Sequence, residues 1–183
     1  LTLPDDAIHV WTVPLVKACA AVDLPPDETA WTEAAVDPET RRRRAAARTA
    51  LRVLLGSYLD RAPASLTFRR EAGGKPRLAG NELSFNLSHA DEVMLVALAA
   101  RREVGIDIDR LDRLGADWQG VARLSFSAEE QSALFSLPQT GRSREAMRLW
   151  VRKEAYTKAL GGGFAHGFST LAVGITARPA ASR

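Results

Sequence analysis

The sequence predicts an α+β chain in two halves, divided near Arg102. Three observations predict it. One helix-length segment opens at Asp37-Pro38 and a second stops at Gly161-Gly-Gly163. Short stretches of alternating polarity, such as Leu83-Ser-Phe-Asn-Leu-Ser88, lie around them. Each half, residues 1–102 and 103–183, then holds one long helix and several strands.

Composition narrows the class. A chain of 183 residues makes one or at most two domains of the usual ~100–200 residues. Its mix of apolar residues and both charge signs describes a folding, globular chain. No apolar run approaches the ~20 residues that cross a bilayer, and no basic-then-apolar export signal opens it. The one cysteine, Cys19, rules out an internal disulfide framework and a cysteine-based zinc cage. The expected location is the cytoplasm. The net charge is only +3, and the lysines are confined to Lys17, Lys75, Lys153 and Lys158. A basic surface suits an acidic partner or a phosphorylated ligand.

Taken in order, Ile8-His-Val-Trp-Thr-Val13 alternates and reads as a strand, and residues 14–36 as a mixed stretch broken at Pro25-Pro26. Asp37 is the N-cap and Pro38 the first residue of a helix running to about Leu59. At ~100° per residue, Arg41, Arg48 and Arg52 share a stripe opposite Ala46, Ala50, Val53 and Leu54. That stripe is either a solvated face or a cationic wall for phosphates. Residues 65–68 suggest a strand, and Gly73-Gly-Lys-Pro-Arg77 a loop that carries a mobile lysine beside exposed backbone.

In the strand 83–88, Leu83, Phe85 and Leu87 face inward and Ser84, Asn86 and Ser88 outward. The apolar run from Val93 to Ala100 reads as a central strand covered on both faces. Val104-Gly-Ile-Asp-Ile-Asp109 reads as a further strand, with Ile106 and Ile108 on one face and Asp107 and Asp109 side by side on the other. Residues 110–125 are polar and irregular. Ser127 with Glu130 makes a capping box for the next helix, a longer helix covers about 143–160, and residues 171–175 form a last strand. On the 143–160 helix, Glu145, Arg148 and Arg152 fall on the solvent side. Glu154 falls nearly opposite, with Met147, Trp150, Val151 and Lys158.

Two adjacent carboxylates repel unless a cation lies between them, and a hard divalent ion such as Mg²⁺ prefers such oxygens. Asp107 and Asp109 fit that pattern, or else the blunted face of an edge strand. Glu154 is either a third ligand or the partner of Lys158 one turn on. With Lys75, Ser88, His89 and the arginine-striped helix, these residues are equipment for a polyanionic, phosphate-rich ligand, whose chemistry is mostly positioning and charge neutralisation. No Walker sequence and no Gly-x-Ser-x-Gly elbow is present. A Mg²⁺-dependent nuclease or phosphodiesterase and a non-catalytic basic binding module are the competing classes.

Gly74-Lys-Pro76, Phe85-Asn-Leu-Ser-His89, Gly105-Ile-Asp-Ile-Asp109, Phe126-Ser-Ala-Glu-Glu130 and Trp150-Val-Arg-Lys-Glu-Ala155 with Lys158 resemble, in this order, the motifs of the 4'-phosphopantetheinyl transferases, in their longer Sfp-like monomeric branch. The resemblance covers roughly residues 8–175. It implies two similar α+β halves related by a pseudo-twofold, with ligand in the cleft between them. The implied reaction moves the phosphopantetheine arm of coenzyme A onto a serine of an acyl or peptidyl carrier protein and releases adenosine 3',5'-bisphosphate. Neither nucleic acid nor membrane takes part. Asp107, Asp109 and Glu154 match the Mg²⁺ site on the pyrophosphate. Glu154 matches the candidate base and Lys158 the lysine that neutralises the departing phosphate. Arg48, Thr49, Lys75, Pro76, Ser88 and His89 match the residues holding the adenosine and 3'-phosphate end, together with one of Arg41 to Arg44. Glu130 matches an acid near the metal. Asp109 departs from the pattern, because that position is often Glu. For the carrier, residues 111–125, with Leu114 and Trp118, are the expected docking surface; covering the core is the other reading of Trp118.

Overall fold

A computed structural model describes residues 1–16, 22–71, 74–161 and 167–175. Cys19, Lys17 and His166 lie outside them. The N-terminal core is an antiparallel sheet in the order β1-β5-β4, made of β1 (Ile8–Pro14), β4 (Ser84–Ala90) and β5 (Val93–Ala99). The apolar run is the central strand, as its composition demands. Met94, Val96 and Leu98 turn one face of β5 into a core completed by Leu51, Leu54 and Leu55 of helix α2 (Pro38–Leu59). Ala97 and Ala99 turn the other face to Val104 and Ile106. Asp91, at a φ of 47°, makes the tight turn from β4 to β5.

Helix α2 starts where its cap dictates, with Asp37 accepting a 2.8 Å hydrogen bond from the Thr40 N–H. Its buried stripe is shifted from the expected one. Val53 is exposed, and Arg52, expected on the cationic stripe, is 2% exposed. The reason is helix α1 (Pro26–Glu33), where the sequence suggested only a broken stretch. Glu28 of α1 pairs with Arg52 at 2.9 Å, and the guanidinium also donates to the Pro63 and Leu66 carbonyls. A buried charge persists only when paired and hydrogen-bonded in this way. The expected strand at 65–68 and loop at 73–77 become a small hairpin of β2 (Phe68–Arg70) and β3 (Pro76–Leu78), which buries Leu78.

The C-terminal part is helical. Helices α3 (Trp118–Ser125), α4 (Ala128–Ser136) and α5 (Gln139–Leu160) enclose Ala122, Phe126, Leu134, Ala146 and Leu149. The Ser127–Glu130 capping box is present. Helix α3 occupies part of the stretch expected to be irregular. It turns Trp118 into this core, where the indole stacks on Phe135, and Leu114 packs with it. Both are therefore core residues. Leu111 and Leu124 are the apolar side chains of this region left exposed.

Two expected strands are not strands. Residues 171–175 follow a 3-10 turn (Phe168–Thr170) and are held by side chains in place of a ladder. Lys153 donates to the Phe168 and Leu171 carbonyls, Arg152 to those of Gly174 and Ile175, and the Val173 N–H donates to Glu130. Residues 104–109 form a strap with no strand partner among the described residues. The Ile106 N–H donates to the Asn86 side chain at 2.9 Å.

The strap crosses α5 at Gly105, where a Cβ would collide with the Ala155 carbonyl oxygen and the Ala159 nitrogen. Glycine is needed there for close approach of two backbones. Gly105→Ala must push the strap off α5, and with it Asp107. Thermal melting should show a loss of about 1–3 kcal/mol, the range for overpacking; an unchanged melting temperature would mean that the crossing is looser than this.

Candidate active site

Three elements meet at Asp107. Its Oδ1 accepts from Ser88 Oγ of β4 at 2.8 Å and from Lys158 Nζ of α5 at 2.6 Å, and Lys158 also donates to Ser88 Oγ at 3.0 Å. The Asp107 side chain is 7% exposed, so this acid belongs to no solvated edge. The cation beside it is Lys158.

Glu154 lies one turn before Lys158 on the same helix and is half-buried. Burial raises its proton affinity. The charge of Asp107 adds to that, Lys158 opposes it, and Asp109 and Arg113 contribute smaller effects of opposite sign. The three acids thus share one field. Asp109 accepts from the Arg110 N–H at 2.8 Å and lies 3.5 Å from Arg113. Among the described residues no group of three or more metal-ligating side chains is already closed around a point. The donor set nonetheless fits a hard divalent ion. All three are carboxylates, the oxygen chemistry such an ion takes, and the charge of Asp107 adds to the burial that raises Glu154.

The remaining candidates surround this junction. A cavity of about 240 Å³ is lined by Gly74, Lys75, Pro76, Asn86, Lys158 and Gly161. A larger apolar cavity of about 550 Å³, against Ile8, Val10 and Tyr156, contains none of Ser88, Asp107 and Lys158. The smaller one is the cavity that reaches the junction, through Lys158. Lys75 is not the mobile cation expected of its loop. Its ammonium is buried and donates to Glu103 at 3.0 Å and to the Val104 and Ala159 carbonyls at 3.1 Å, pinning the hairpin to the strap and to the end of α5.

His89 ends the same strand as Ser88 and is exposed as a whole. Partial desolvation of its ring, then Lys158, Arg43 and Arg44, hold its proton affinity below the ordinary histidine range. Arg48 and Thr49 are half-buried on α2. Burial also lowers the proton affinity of Arg48, and Arg70 acts in the same direction. Of the residues proposed from sequence, Ser88, Asp107 and Lys158 are in direct contact. Glu154, Asp109 and His89 are linked to that group through shared electrostatics, whereas the charges acting on Arg48 are those of Glu28, Arg70, Arg52 and Asp27.

Sequence reasoning missed the Glu130–Lys153 pair. The helical wheel put Lys153 away from Glu154 without placing it in the core. Helix α5 buries Ala146, Met147, Leu149, Lys153 and Thr157, and Glu154 and Lys158 beside them are only partly buried. Lys153 is fully buried 2.6 Å from Glu130. Glu130 is thus the buried partner of Lys153. It accepts from the Ser127 and Val173 N–H groups within the C-terminal core. The signal available in the sequence was a Lys-Glu dipeptide in an otherwise apolar helical register.

Comparison with known proteins gives the family. Residues 103–182 match the family model of the 4'-phosphopantetheinyl transferase superfamily. The chain is 38% identical over 174 residues to 4'-phosphopantetheinyl transferase HetI of Nostoc sp., covering 90% of this chain and 73% of HetI. It is 33% identical over 99 residues to 4'-phosphopantetheinyl transferase gsp of Aneurinibacillus migulanus, covering 54% of this chain and 40% of that protein. It is 34% identical over 112 residues to 4'-phosphopantetheinyl transferase AcpT of Salmonella typhi, covering 61% and 56%. The mixed α/β fold accords with that family. The chain belongs to the 4'-phosphopantetheinyl transferase family, a family of enzymes.

Burial alone raises the proton affinity of Glu130, but Lys153 and the two N–H donors outweigh it and hold the carboxyl below its ordinary range. A group lowered on folding contributes stability that is fully present above its unfolded value, about pH 4.3. That stability is lost as the pH falls through the lowered folded value. Glu130→Gln should cost about 3–5 kcal/mol at neutral pH by leaving Lys153 buried and unpaired, and should flatten the acid limb of a stability–pH curve. Glu130→Gln with Lys153→Met should recover much of the loss. Equal stability of wild type and Glu130→Gln in denaturant melts would contradict this role.

Proposed function

We propose that the chain transfers the 4'-phosphopantetheine arm of coenzyme A to a serine of an acyl or peptidyl carrier protein, in a Mg²⁺-dependent reaction that releases adenosine 3',5'-bisphosphate. One observation carries the reading. Lys158 pairs with Asp107 and acts, together with Arg43 and Arg44 of α2, on His89, so a line of positive charge leads from the acids to α2. A pyrophosphate with a distant phosphate monoester matches both ends of that line.

In this reading the carrier serine Oγ attacks the phosphorus that bears the pantetheine arm. The bond from that phosphorus to the bridging oxygen breaks, and the bridging oxygen leaves on the adenosine bisphosphate. The serine proton passes to the Glu154 carboxylate, the candidate base. Lys158 turns from Asp107 to the departing phosphate and neutralises its growing charge. Asp107, Asp109 and Glu154 are the residues that would hold Mg²⁺, which supplies Lewis-acid charge neutralisation when bound. Ser88, His89, Lys75, Pro76, Arg48 and Thr49 are assigned to coenzyme A, with Lys75 ordering the cavity wall.

The finer architecture is part of the same proposal. The chain is read as an Sfp-like, cytoplasmic monomer. Its halves, 1–102 and 103–183, are related by a pseudo-twofold and bracket the ligand. The 22-residue length shared by α2 and α5 supports it, as do the separate cores beneath them. The exposed Leu111 and Leu124, set among Arg110, Arg113 and Arg123, suit an acidic carrier helix with an apolar patch.

Intact-protein mass spectrometry tests the reaction. An apo carrier incubated with this protein, coenzyme A and Mg²⁺ should gain the mass of one phosphopantetheine group. EDTA and Glu154→Gln should remove the gain, and Lys158→Met should slow it by about 10²–10³-fold, the cost of losing one charge-stabilising donor. Absence of any gain across acyl and peptidyl carriers, with coenzyme A bound, would reject the reading.

A further inference from the structure

We infer that Trp31 is a positioning residue for the phosphate-binding arginines, holding Arg44 and Arg48 as a preformed receptor for a phosphate monoester. The inference rests on the reading of coenzyme A as substrate.

Arg44 and Arg48 are one helical turn apart on α2 and therefore neighbours on its surface. Like charges at that spacing repel each other and normally turn to nearby carboxylates. Three other arginines of this helix do so, while Arg41 in its first turn has no carboxylate partner among the described residues. Arg42 and Arg43 pair with Glu39 and Glu92, and Arg52 pairs with Glu28. Among the described residues no carboxylate lies within ion-pair distance of Arg44 or Arg48. Glu28, whose charge acts on Arg48, is committed to Arg52.

What holds the two guanidiniums is an aromatic ring. The Arg44 Cζ is 4.4 Å and the Arg48 Cζ 4.7 Å from the centre of the Trp31 ring, and Arg44 Nη1 also donates to the Trp31 carbonyl at 2.9 Å. An indole attracts a cation through its quadrupole without neutralising it. The pair is thus oriented yet keeps its full charge, as an anion receptor requires. A carboxylate in the place of Trp31 would orient the arginines equally well and cancel that charge. The receptor is continuous with the active site, since Arg44 and Lys158 both act on His89. In the proposed reading it receives the second phosphate of a ligand anchored by its pyrophosphate.

The competing explanation is that Trp31 only packs α1 on α2. Coenzyme A and dephospho-coenzyme A, which lacks the 3'-phosphate, separate the two. Isothermal titration of both ligands is compared for wild type, Trp31→Leu, Trp31→Phe and Arg48→Ala. Trp31→Leu should weaken coenzyme A about tenfold and leave dephospho-coenzyme A within about twofold, and Trp31→Phe, which keeps a ring, should restore most of the loss. Should Trp31→Leu fail to fold, Trp31→Gln gives the same comparison. Equal weakening of both ligands, or none, would overturn the inference. If Arg48→Ala discriminates between the ligands while Trp31→Leu does not, only the role of Trp31 fails. If Arg48→Ala fails to discriminate, the phosphate assignment fails and takes the inference with it.

Discussion

Burying an ammonium ion obliges the chain around it to supply oxygen acceptors, and the fully buried Lys153 imposes that requirement on the C-terminal core. Glu130 answers with a charge, and the Phe168 and Leu171 carbonyls answer with dipoles. Three stretches far apart in sequence are thereby tied together: the start of α4, the middle of α5 and the segment after the 3-10 turn. The same requirement sets the rotation of α5. With Lys153 inward, the next residue, Glu154, and Lys158 one turn on, must emerge along the edge of the core beside Asp107. A structural charge in the interior therefore aims the functional charges at the surface. The ion pair need not add net stability over an apolar pair to do this, because its value lies in fixing one register.

The second constraint comes from the other side of the site. The strap 104–109 has no ladder to hold it among the described residues, so its position depends on single contacts. Gly105 lets it touch the backbone of α5, Asn86 holds Ile106, and Lys75 grips Val104. These fasteners draw on the sheet, the small hairpin and the helix at once. Asp107 is thus placed by the whole fold, and the charge of Lys158 meets it without rearrangement. Such preorganisation is how an enzyme lowers the cost of gathering charge around a polyanion.

Much of this was legible in the sequence where local chemistry decides the outcome. The Asp37 cap, the Ser127–Glu130 box and the apolar run of β5 gave the ends of α2, the start of α4 and the central strand, because each signal acts within a few residues. The ordered motifs brought Ser88, Asp107 and Lys158 into one site and identified the family. What escaped depends on distant partners. Arg52 reads as exposed until Glu28, on an unrecognised helix, is known to face it. Lys75 reads as mobile until its acceptors on the strap and α5 are known. Residues 104–109 and 171–175 carry strand-like composition, but their backbone groups are met by side chains from elsewhere, which no local pattern reveals. Trp31 gave no signal, since its partners are two arginines on the next helix.

The central claim is that Asp107, Asp109 and Glu154 form one receptor with the cationic line, so that a divalent ion and coenzyme A bind together. Isothermal titration of coenzyme A with and without Mg²⁺, for wild type and Asp107→Asn, tests it most directly. The account predicts that Mg²⁺ tightens coenzyme A binding to the wild type and has no such effect on Asp107→Asn. Equal affinity for coenzyme A with and without Mg²⁺ in the wild type, or a Mg²⁺ effect that survives Asp107→Asn, would contradict it.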